Sequence, residues 1–211
     1  MNAKKMIMVN IVVLIILIGG GITGYYFYYQ AANYVKTDDA KIDGKMITIG
    51  ATADGKLSDW DGEVGKKYNK GDTLGKIETP SENGMTKKNV TIPQDATIVK
   101  DDTVKDSMVA AGTKLAQAYN LNDLWITANI NESDIDHIKV GKSVDVIVDA
   151  YKDTTLTGKV EQIGLATNDT FSLLPSSGND DDNVIPVKIS IDDYKGLRLV
   201  PGINAHVKID R

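Results

Sequence analysis

The sequence predicts a mainly β fold that follows a single membrane-spanning helix, and three observations support this. Residues 6–27 form a nearly unbroken apolar run close to the N-terminus. After residue 30, short runs alternate apolar and polar side chains and are separated by Gly, Asn and Asp, which is typical of strands and turns. Finally, one strand-turn-strand pattern occurs twice, 41 residues apart. The chain is therefore expected to place a two-part sandwich and a further β domain behind one anchor.

The apolar run comes first. As a helix, its 22 residues would be about 33 Å long, enough to cross the hydrocarbon core. Lys4 and Lys5 precede it and no similar basic cluster follows it, so the positive-inside rule puts residues 1–5 in the cytoplasm and the bulk of the chain outside. Tyr25–Tyr29 suit the far interface of the membrane. A cleaved signal peptide is the alternative, and it would export the rest of the chain as well.

Alternating segments follow the anchor. In Leu124–Ile130, Ser143–Val148 and Ile203–Ile209, every second residue is apolar for much of the run, so one face can be buried while the other stays in water. A short helix is predicted at Glu132–Ile138, with Asn131 or Ser133 as its N-cap.

The internal repeat predicts the sandwich. Residues 49–77 align without a gap on residues 90–118. A single hairpin is only marginally stable in water, so we expect the two halves to close on each other. The matched pairs are Asp54/Asp95, Leu57/Ile98, Asp61/Asp102, Gly71/Gly112 and Leu74/Leu115.

These observations divide the chain into segments. Residues 28–43 are expected to be a linker that can add a strand to the last domain. The sandwich would span residues 44–120, with residues 78–89 as the loop between its halves, and a small β-barrel would span residues 121–211.

Composition argues against several classes of protein. The 211 residues carry a formal charge of −5, which gives nucleic-acid binding no electrostatic support. There is no cysteine, so disulfides, thiolate metal sites and a cysteine nucleophile are excluded. His137 and His206 are the only histidines, and neither has metal-ligand spacing around it. No catalytic motif or phosphate loop is found, so we expect a protein that is not an enzyme and has no cofactor or metal.

Several segments resemble a known family. Gly71–Leu74 and Ala110–Leu115 resemble the repeated signature of lipoyl-like (barrel-sandwich hybrid) domains. Thr37–Ala40 is similar to the motif that follows the anchor in EmrA/HlyD-type membrane fusion proteins. Leu124–Val144 resembles the β-barrel domain of that family, and Thr170–Pro175, followed by Ile185–Ile189, resembles its EmrA branch.

The resemblance implies a role. Such a protein is an adaptor subunit of a multidrug export system, anchored in the inner (cytoplasmic) membrane, forming homo-oligomers and docking on an integral membrane transporter. A major-facilitator exporter of amphipathic toxic compounds is favoured as the partner, and an ABC-type peptide exporter is the close alternative. A different class remains open from the residues alone, namely an anchored surface or cell-wall-binding β protein without a transporter.

One departure from the family concerns the connection between the sandwich halves. Most members insert a long α-helical coiled-coil hairpin there, and this hairpin reaches the outer-membrane channel. Here residues 78–89 contain Pro80, Asn83 and Gly84, a loop composition that leaves such docking without its usual structure.

The candidate contact residues are Phe171, Leu173, Leu174 and Pro175. A loop that carries these side chains between polar residues would expose apolar surface unless it docks on something. Two interpretations are open: the loop folds back on its own barrel, or it contacts the transporter or a neighbouring subunit.

Other suggestive residues are expected to be structural. Lys87 and Lys88 invite a lipoyl- or biotinyl-carrier hypothesis, but no Met-Lys-Met pattern frames them, and solvated lysines are expected. Asp180–Asp182 lack the spacing of a calcium-binding loop. Trp60 and Trp125 are expected to pack inside their domains.

Overall fold

The computed structural model describes residues 3–81, 84–165 and 184–211. Helix α1 (Ala3–Asn33) is followed almost entirely by strands, so the predicted mainly β fold with a barrel-sandwich hybrid and a β-barrel is confirmed. The strands are β1 (Tyr34–Gly50), β2 (Gly55–Trp60), β3 (Lys67–Tyr68), β4 (Thr73–Ser81), β5 (Gly84–Thr91), β6 (Ala96–Asp101), β7 (Met108–Val109), β8 (Lys114–Asn131), β9 (Ser143–Val148), β10 (Thr155–Ile163), β11 (Val184–Ile191) and β12 (Asn204–Asp210).

The chain forms two compact units. One contains α1, residues 34–41 of β1, the described part of residues 126–195 and residues 204–211. The other contains residues 42–125 and residues 196–203. They are called the barrel unit and the sandwich unit below.

Helix α1 contains the predicted anchor. Its segment Asn10–Tyr29 is, within the described part of the chain, the one helix long and apolar enough to cross a membrane. The side chains of this segment are exposed on every side; Leu17, for example, is 67% exposed. A helix that is apolar all round has no polar face to turn toward water, which matches a hydrocarbon environment.

The sandwich unit has an internal two-fold relationship. Strands β2, β3 and β4 each begin 41 residues before β6, β7 and β8. The short strands are exchanged between the halves: Lys67 of β3 pairs with Thr97 of β6, and Met108 of β7 pairs with Lys56 of β2. Each half therefore completes the sheet of the other, and neither sheet forms from one half alone.

Matched apolar residues build the core of the sandwich. Leu57, Ile98 and Leu74 are fully buried, and Leu115 is 2% exposed. Full burial of one such side chain stabilises the fold by about 1.5–3 kcal/mol. The core thus rests on the positions that the repeat aligns.

Residues 78–81 and 84–89 pair as antiparallel strands, where the sequence suggested a loop. The ladder between β4 and β5 continues to the pair Ser81 and Gly84, so only two residues separate the paired ends. Pro80 is compatible with a strand here because the pairing of β4 with β2 ends at Glu78, and β4 then has a partner on one side only. Lys87 and Glu78, whose charged atoms lie 3.1 Å apart, add a cross-strand ion pair.

The barrel unit is a closed β-barrel. Its strand order is β1, β12, β9, β10, β11 and β8, and the pairing of β1 with β8 closes the ring. Alternation along β9 buries Val144, Val146 and Val148 and exposes the residues between them. Tyr34 to Lys41, expected as a linker, pair with β12, so this segment contributes a barrel strand.

The helix predicted at Glu132–Ile138 is shorter in the structure. Helix α2 spans Glu132–Ile135, and Asn131 holds the N-cap position without a side-chain capping bond. The chain then tightens, because the N–H groups of His137 and Ile138 donate to carbonyls three residues back. Ile138 is buried, and this tertiary contact outweighs continuation of the helix.

Candidate functional site: the strand that follows the membrane helix

The four predicted contact residues, Phe171, Leu173, Leu174 and Pro175, lie outside the described residues. Asp180–Asp182 lie there as well. A role of this segment in contacting a transporter or a neighbouring subunit therefore stays a prediction. The candidate site is built instead from β1, which continues directly from the membrane helix, and from its neighbours in the barrel unit.

The C-terminal end of α1 is hydrogen-bonded to the residue that directly follows the last barrel strand. The backbone N–H of Arg211 donates to the carbonyl of Asn33 at 2.9 Å. The ammonium of Lys208 lies 3.6 Å from the centroid of the Tyr34 ring, a cation–π contact. Tyr34 in turn meets the ring of Tyr29 edge-on, with 6.4 Å between centroids. The first and last strands of the barrel are thus joined at the point where the chain leaves the helix.

Arg211 is held on its other side by α2. Its guanidinium lies 3.1 Å from a carboxylate oxygen of Asp134, and both side chains are partly exposed, at 28% and 37%. Lys142 donates to the carbonyl of Arg211 at 2.7 Å. Sequence reasoning could not predict these contacts, because the partners are 77 and 69 residues apart.

The segment Thr37–Ala40, which resembles the family motif, lies in a bulge of β1. The pairing with β12 shifts register between Thr37 and Ala40. A bulge leaves residues outside the ladder and re-aims their side chains. The N–H of Asp39 bonds to the Thr37 hydroxyl at 3.0 Å, and the Asp39 carboxylate accepts a bond from the Asn129 amide of β8 at 2.9 Å.

The other aspartate of the bulge bonds to β12. Asp38 Oδ1 lies 2.7 Å from Nδ1 of His206. The two aspartates of the motif therefore bind β1 to both of its neighbours in the barrel, one to β8 and the other to β12. This gives the motif a structural role at the closure of the barrel.

His206 makes a second bond, to the 3₁₀ turn Asp149–Tyr151 that follows β9. Its Nε2 lies 2.9 Å from Asp149 Oδ1. The hydrogen bond to Asp38 is the largest influence on the pKa of His206 and raises it above its ordinary value of 6.5. Desolvation, the next largest, lowers this pKa, and the bond to Asp149 and the charges of both aspartates raise it again. Sequence reasoning missed this constellation because its members are 168 and 57 residues apart.

The described residues contain no group of three His, Asp or Glu side chains arranged to hold a metal ion. Both nitrogens of His206 are engaged by carboxylates on opposite sides of the ring, which is a hydrogen-bonding geometry. The bonds of His206 to Asp38 and Asp149 connect β12 to β1 and to the turn that follows β9.

The remaining suggestive residues are placed as follows. Lys87 and Lys88 lie exposed on β5. Trp60 packs against the sandwich core and donates its indole N–H to Asp101 at 3.0 Å, and Trp125 lies half-buried on β8. The sandwich unit also has an open polar cleft of about 410 Å³ that lacks the apolar walls usual in ligand pockets. It is lined by Lys45, Lys70, Gln94, Asp95, Asn120 and Asp123.

Comparison with known proteins adds independent information. A family model of the YhbJ barrel-sandwich hybrid domain matches residues 45–120, and one of the YknX-like β-barrel domain matches residues 124–209. YhbJ of Bacillus subtilis (strain 168), named as a candidate efflux system component, is 48% identical over 214 aligned positions, covering 99% of this chain and 94% of YhbJ.

Two further proteins resemble the chain. The colistin resistance protein EmrA of Acinetobacter baumannii is 36% identical, over 50% of this chain and 32% of that protein. The solved structure of the periplasmic adaptor protein EmrA covers 84% of this chain and 98% of its own, with a TM-score of 0.57 and 12% identity, a likeness of fold. With a family model on each domain and a relative that matches along almost its whole length, this chain belongs to the EmrA/HlyD-type membrane fusion proteins, the adaptors of efflux systems, in the group of YhbJ.

Proposed function

We propose that this chain is the adaptor subunit of an export pump, which binds a transporter in the cytoplasmic membrane and helps to form the exit path on its outer face. The observation that carries the proposal is the near full-length similarity to an efflux system component, with the order of anchor, sandwich and barrel retained. The role is one of binding, without turnover, which is the ordinary role of this family.

The barrel end that adjoins α1 supports this role. A surface that contacts an integral membrane partner must lie close to the bilayer, and β1 begins at Tyr34, five residues after the apolar segment ends at Tyr29. The contacts of Tyr34, Lys208 and Arg211 hold this end of the barrel together. We expect the transporter to meet the same end.

A major-facilitator exporter of amphipathic toxic compounds is the favoured partner. The support is the resemblance to the EmrA branch, together with a relative named for resistance to colistin. An ABC-type peptide exporter is the alternative. The short β4–β5 hairpin, in place of a long coiled coil, favours a pump that acts without docking on an outer-membrane channel.

Co-purification tests the proposal directly. The full chain with a C-terminal affinity tag is expressed at native level, extracted in a mild detergent and analysed by mass spectrometry. Enrichment of one multi-span transporter over a control that joins the same tag to α1 alone is the expected result. Recovery of cell-wall proteins and no transporter would favour the anchored surface protein and contradict the proposal.

The energy source separates the two kinds of partner. Dye efflux from cells that carry the chain and its transporter is followed with a protonophore and, separately, with vanadate. Loss of efflux with the protonophore while ATP is maintained supports a major-facilitator partner. Loss with vanadate alone would show an ABC-type partner, and the adaptor role would stand.

A further inference from the structure

We propose that His206 is a proton-controlled clasp: as an imidazolium it ties the bulge of β1 and the 3₁₀ turn Asp149–Tyr151 to β12, and loss of its proton releases one of these ties. The clasp concerns the strand that continues from the membrane helix. It is independent of which transporter the chain binds.

The chemistry of imidazole requires this behaviour. A neutral ring has one N–H donor and one lone pair, whereas the imidazolium has two donors. An ionised carboxylate can only accept. Nδ1 faces Asp38 at 2.7 Å and Nε2 faces Asp149 at 2.9 Å, so both bonds exist together only when the ring is doubly protonated. In the neutral ring one lone pair would point at a carboxylate oxygen, and that contact must open.

Further charged residues on the strands beside the ring include Lys36 and Asp39 on β1, Asp145 on β9 and Lys208 on β12, and two of these bond elsewhere. On β9 the residue that pairs with His206 is the apolar Ile147. On β1 the neighbouring Asp39 bonds to Asn129 of β8. On β12 itself, Lys208 is two residues along the strand from His206, and its ammonium lies over the Tyr34 ring. Asp38 and Asp149 are therefore the two charges in direct contact with His206.

The position of the clasp gives it an effect on the fold. Asp38 lies in the stretch where β1 leaves its regular pairing with β12, so fewer ladder bonds hold the strand there. The side-chain bond of Asp38 to His206 bridges this gap. When the neutral ring keeps its bond to Asp149, the bond to Asp38 opens, Asp39 remains the aspartate that binds the bulge to a neighbouring strand, and backbone opening at residues 37–40 becomes easier. When the ring keeps its bond to Asp38, the turn Asp149–Tyr151 is released instead.

The direction of the pH effect follows from the raised pKa of His206. A histidine whose pKa is higher in the folded than in the unfolded chain stabilises the fold fully below the unfolded value, near 6.5. This contribution is lost as the pH rises through the folded value. The side chain of His206 is 47% exposed, so salt weakens the effect.

Titration by NMR tests the clasp. The sample is the full chain in nanodiscs, labelled with ¹⁵N-histidine and carrying His137→Gln, so that its histidine signal comes from His206. We expect the pKa of His206 to lie above 6.5. Both Asp38→Asn and Asp149→Asn should lower this pKa, and Asp38→Asn should lower it more. Asp39→Asn is the matched control, because it removes the same charge from the same bulge without touching the ring.

Each contrary result would overturn the proposal. These are a pKa of His206 at or below 6.5, no decrease in either asparagine variant, or an equal decrease in the Asp39→Asn control. Tryptophan fluorescence verifies that each variant is folded. If an asparagine variant does not fold, the Asp→Glu variant at the same position is used instead. This variant keeps the carboxylate but moves its charge, so the pKa of His206 must change.

Amide hydrogen exchange supplies the structural readout. After correction for intrinsic rates, protection at one of the two ties, either residues 37–40 or the turn Asp149–Tyr151, should fall between pH 5.5 and pH 8.5 in the wild type and stay constant in His206→Gln. The same pH dependence in both proteins at both places would show that neither tie responds to His206.

Discussion

Asp54 and Asp95 occupy equivalent positions in the two halves of the sandwich, and each carboxylate binds the backbone of the opposite half. Asp54 Oδ1 accepts the N–H of Ala111 at 2.7 Å, and Asp95 Oδ1 accepts the N–H of Lys70 at 2.7 Å. Both bonds reach the residue before a glycine with positive φ, Gly112 or Gly71. The two halves are thus locked by a reciprocal pair of bonds at the turns that precede β8 and β4.

The first prediction concerns this pair. Asp54→Ala and Asp95→Ala should each lower the free energy of unfolding by about 1 kcal/mol, less than is usual for a hydrogen bond to a charged group, because both carboxylates are exposed. The two bonds share no partner, so the double variant should lose the sum. Urea denaturation followed by tryptophan fluorescence measures this. A double variant no less stable than either single one would show that the two bonds act as one unit.

A second prediction concerns Gly158 of β10. A Cβ built on this residue would overlap the backbone carbonyl of Ser190 on the adjacent strand, which cannot move without breaking the ladder. Gly158→Ala should therefore destabilise the barrel by about 1–3 kcal/mol. Gly50→Ala is the control, since its nearest neighbour, the Thr113 carbonyl, lies at an ordinary contact distance of 3.6 Å. Equal thermal midpoints for the two variants would contradict the steric argument.

The third prediction concerns the ion pair between Asp134 and Arg211. Reversing one charge, in Asp134→Arg or Arg211→Asp, should cost about 1 kcal/mol or less, because the pair is partly exposed. Combining both reversals should restore most of the loss. The difference should shrink in 1 M salt, where screening is strong. Thermal unfolding of the wild type, the two single variants and the double variant at low and high salt measures the interaction energy between the two residues. If the double variant loses as much stability as the two single variants together, the pair is not a stabilising contact.

The repeat shows how far the sequence alone could lead. Equivalent apolar and turn residues at an offset of 41 predicted two matching halves, and the strand starts follow that offset. The exchange of β3 and β7 between halves was not predictable, because two-residue strands carry no periodic pattern. The hairpin at residues 78–89 was missed for a related reason: Pro80 and Gly84 suggest a loop unless it is known that β4 has lost one neighbour there.

The candidate site was harder to foresee than the fold. The pattern of Thr37–Ala40 could be recognised as a motif, but its physical role depends on Asn129 and His206, which lie far along the chain. Hydrogen bonds between exposed polar side chains leave no periodic signature, unlike buried apolar faces. A single sequence therefore indicates where the longer strands lie, and it does not indicate which side chains bond across them.

The last prediction concerns the orientation in the membrane, and the absence of cysteine makes it easy to test. Ser81→Cys places one thiol on the exposed end of β4, and Asn2→Cys places one before the apolar segment. With residues 1–5 in the cytoplasm, a membrane-impermeant maleimide should label the first variant in spheroplasts and the second only after lysis. The physical reason is the cost of moving Lys4 and Lys5 across the bilayer. The intact mass of each labelled chain also reports processing: loss of the N-terminal segment would show a cleaved signal peptide, and labelling of Asn2→Cys before lysis would reverse the orientation.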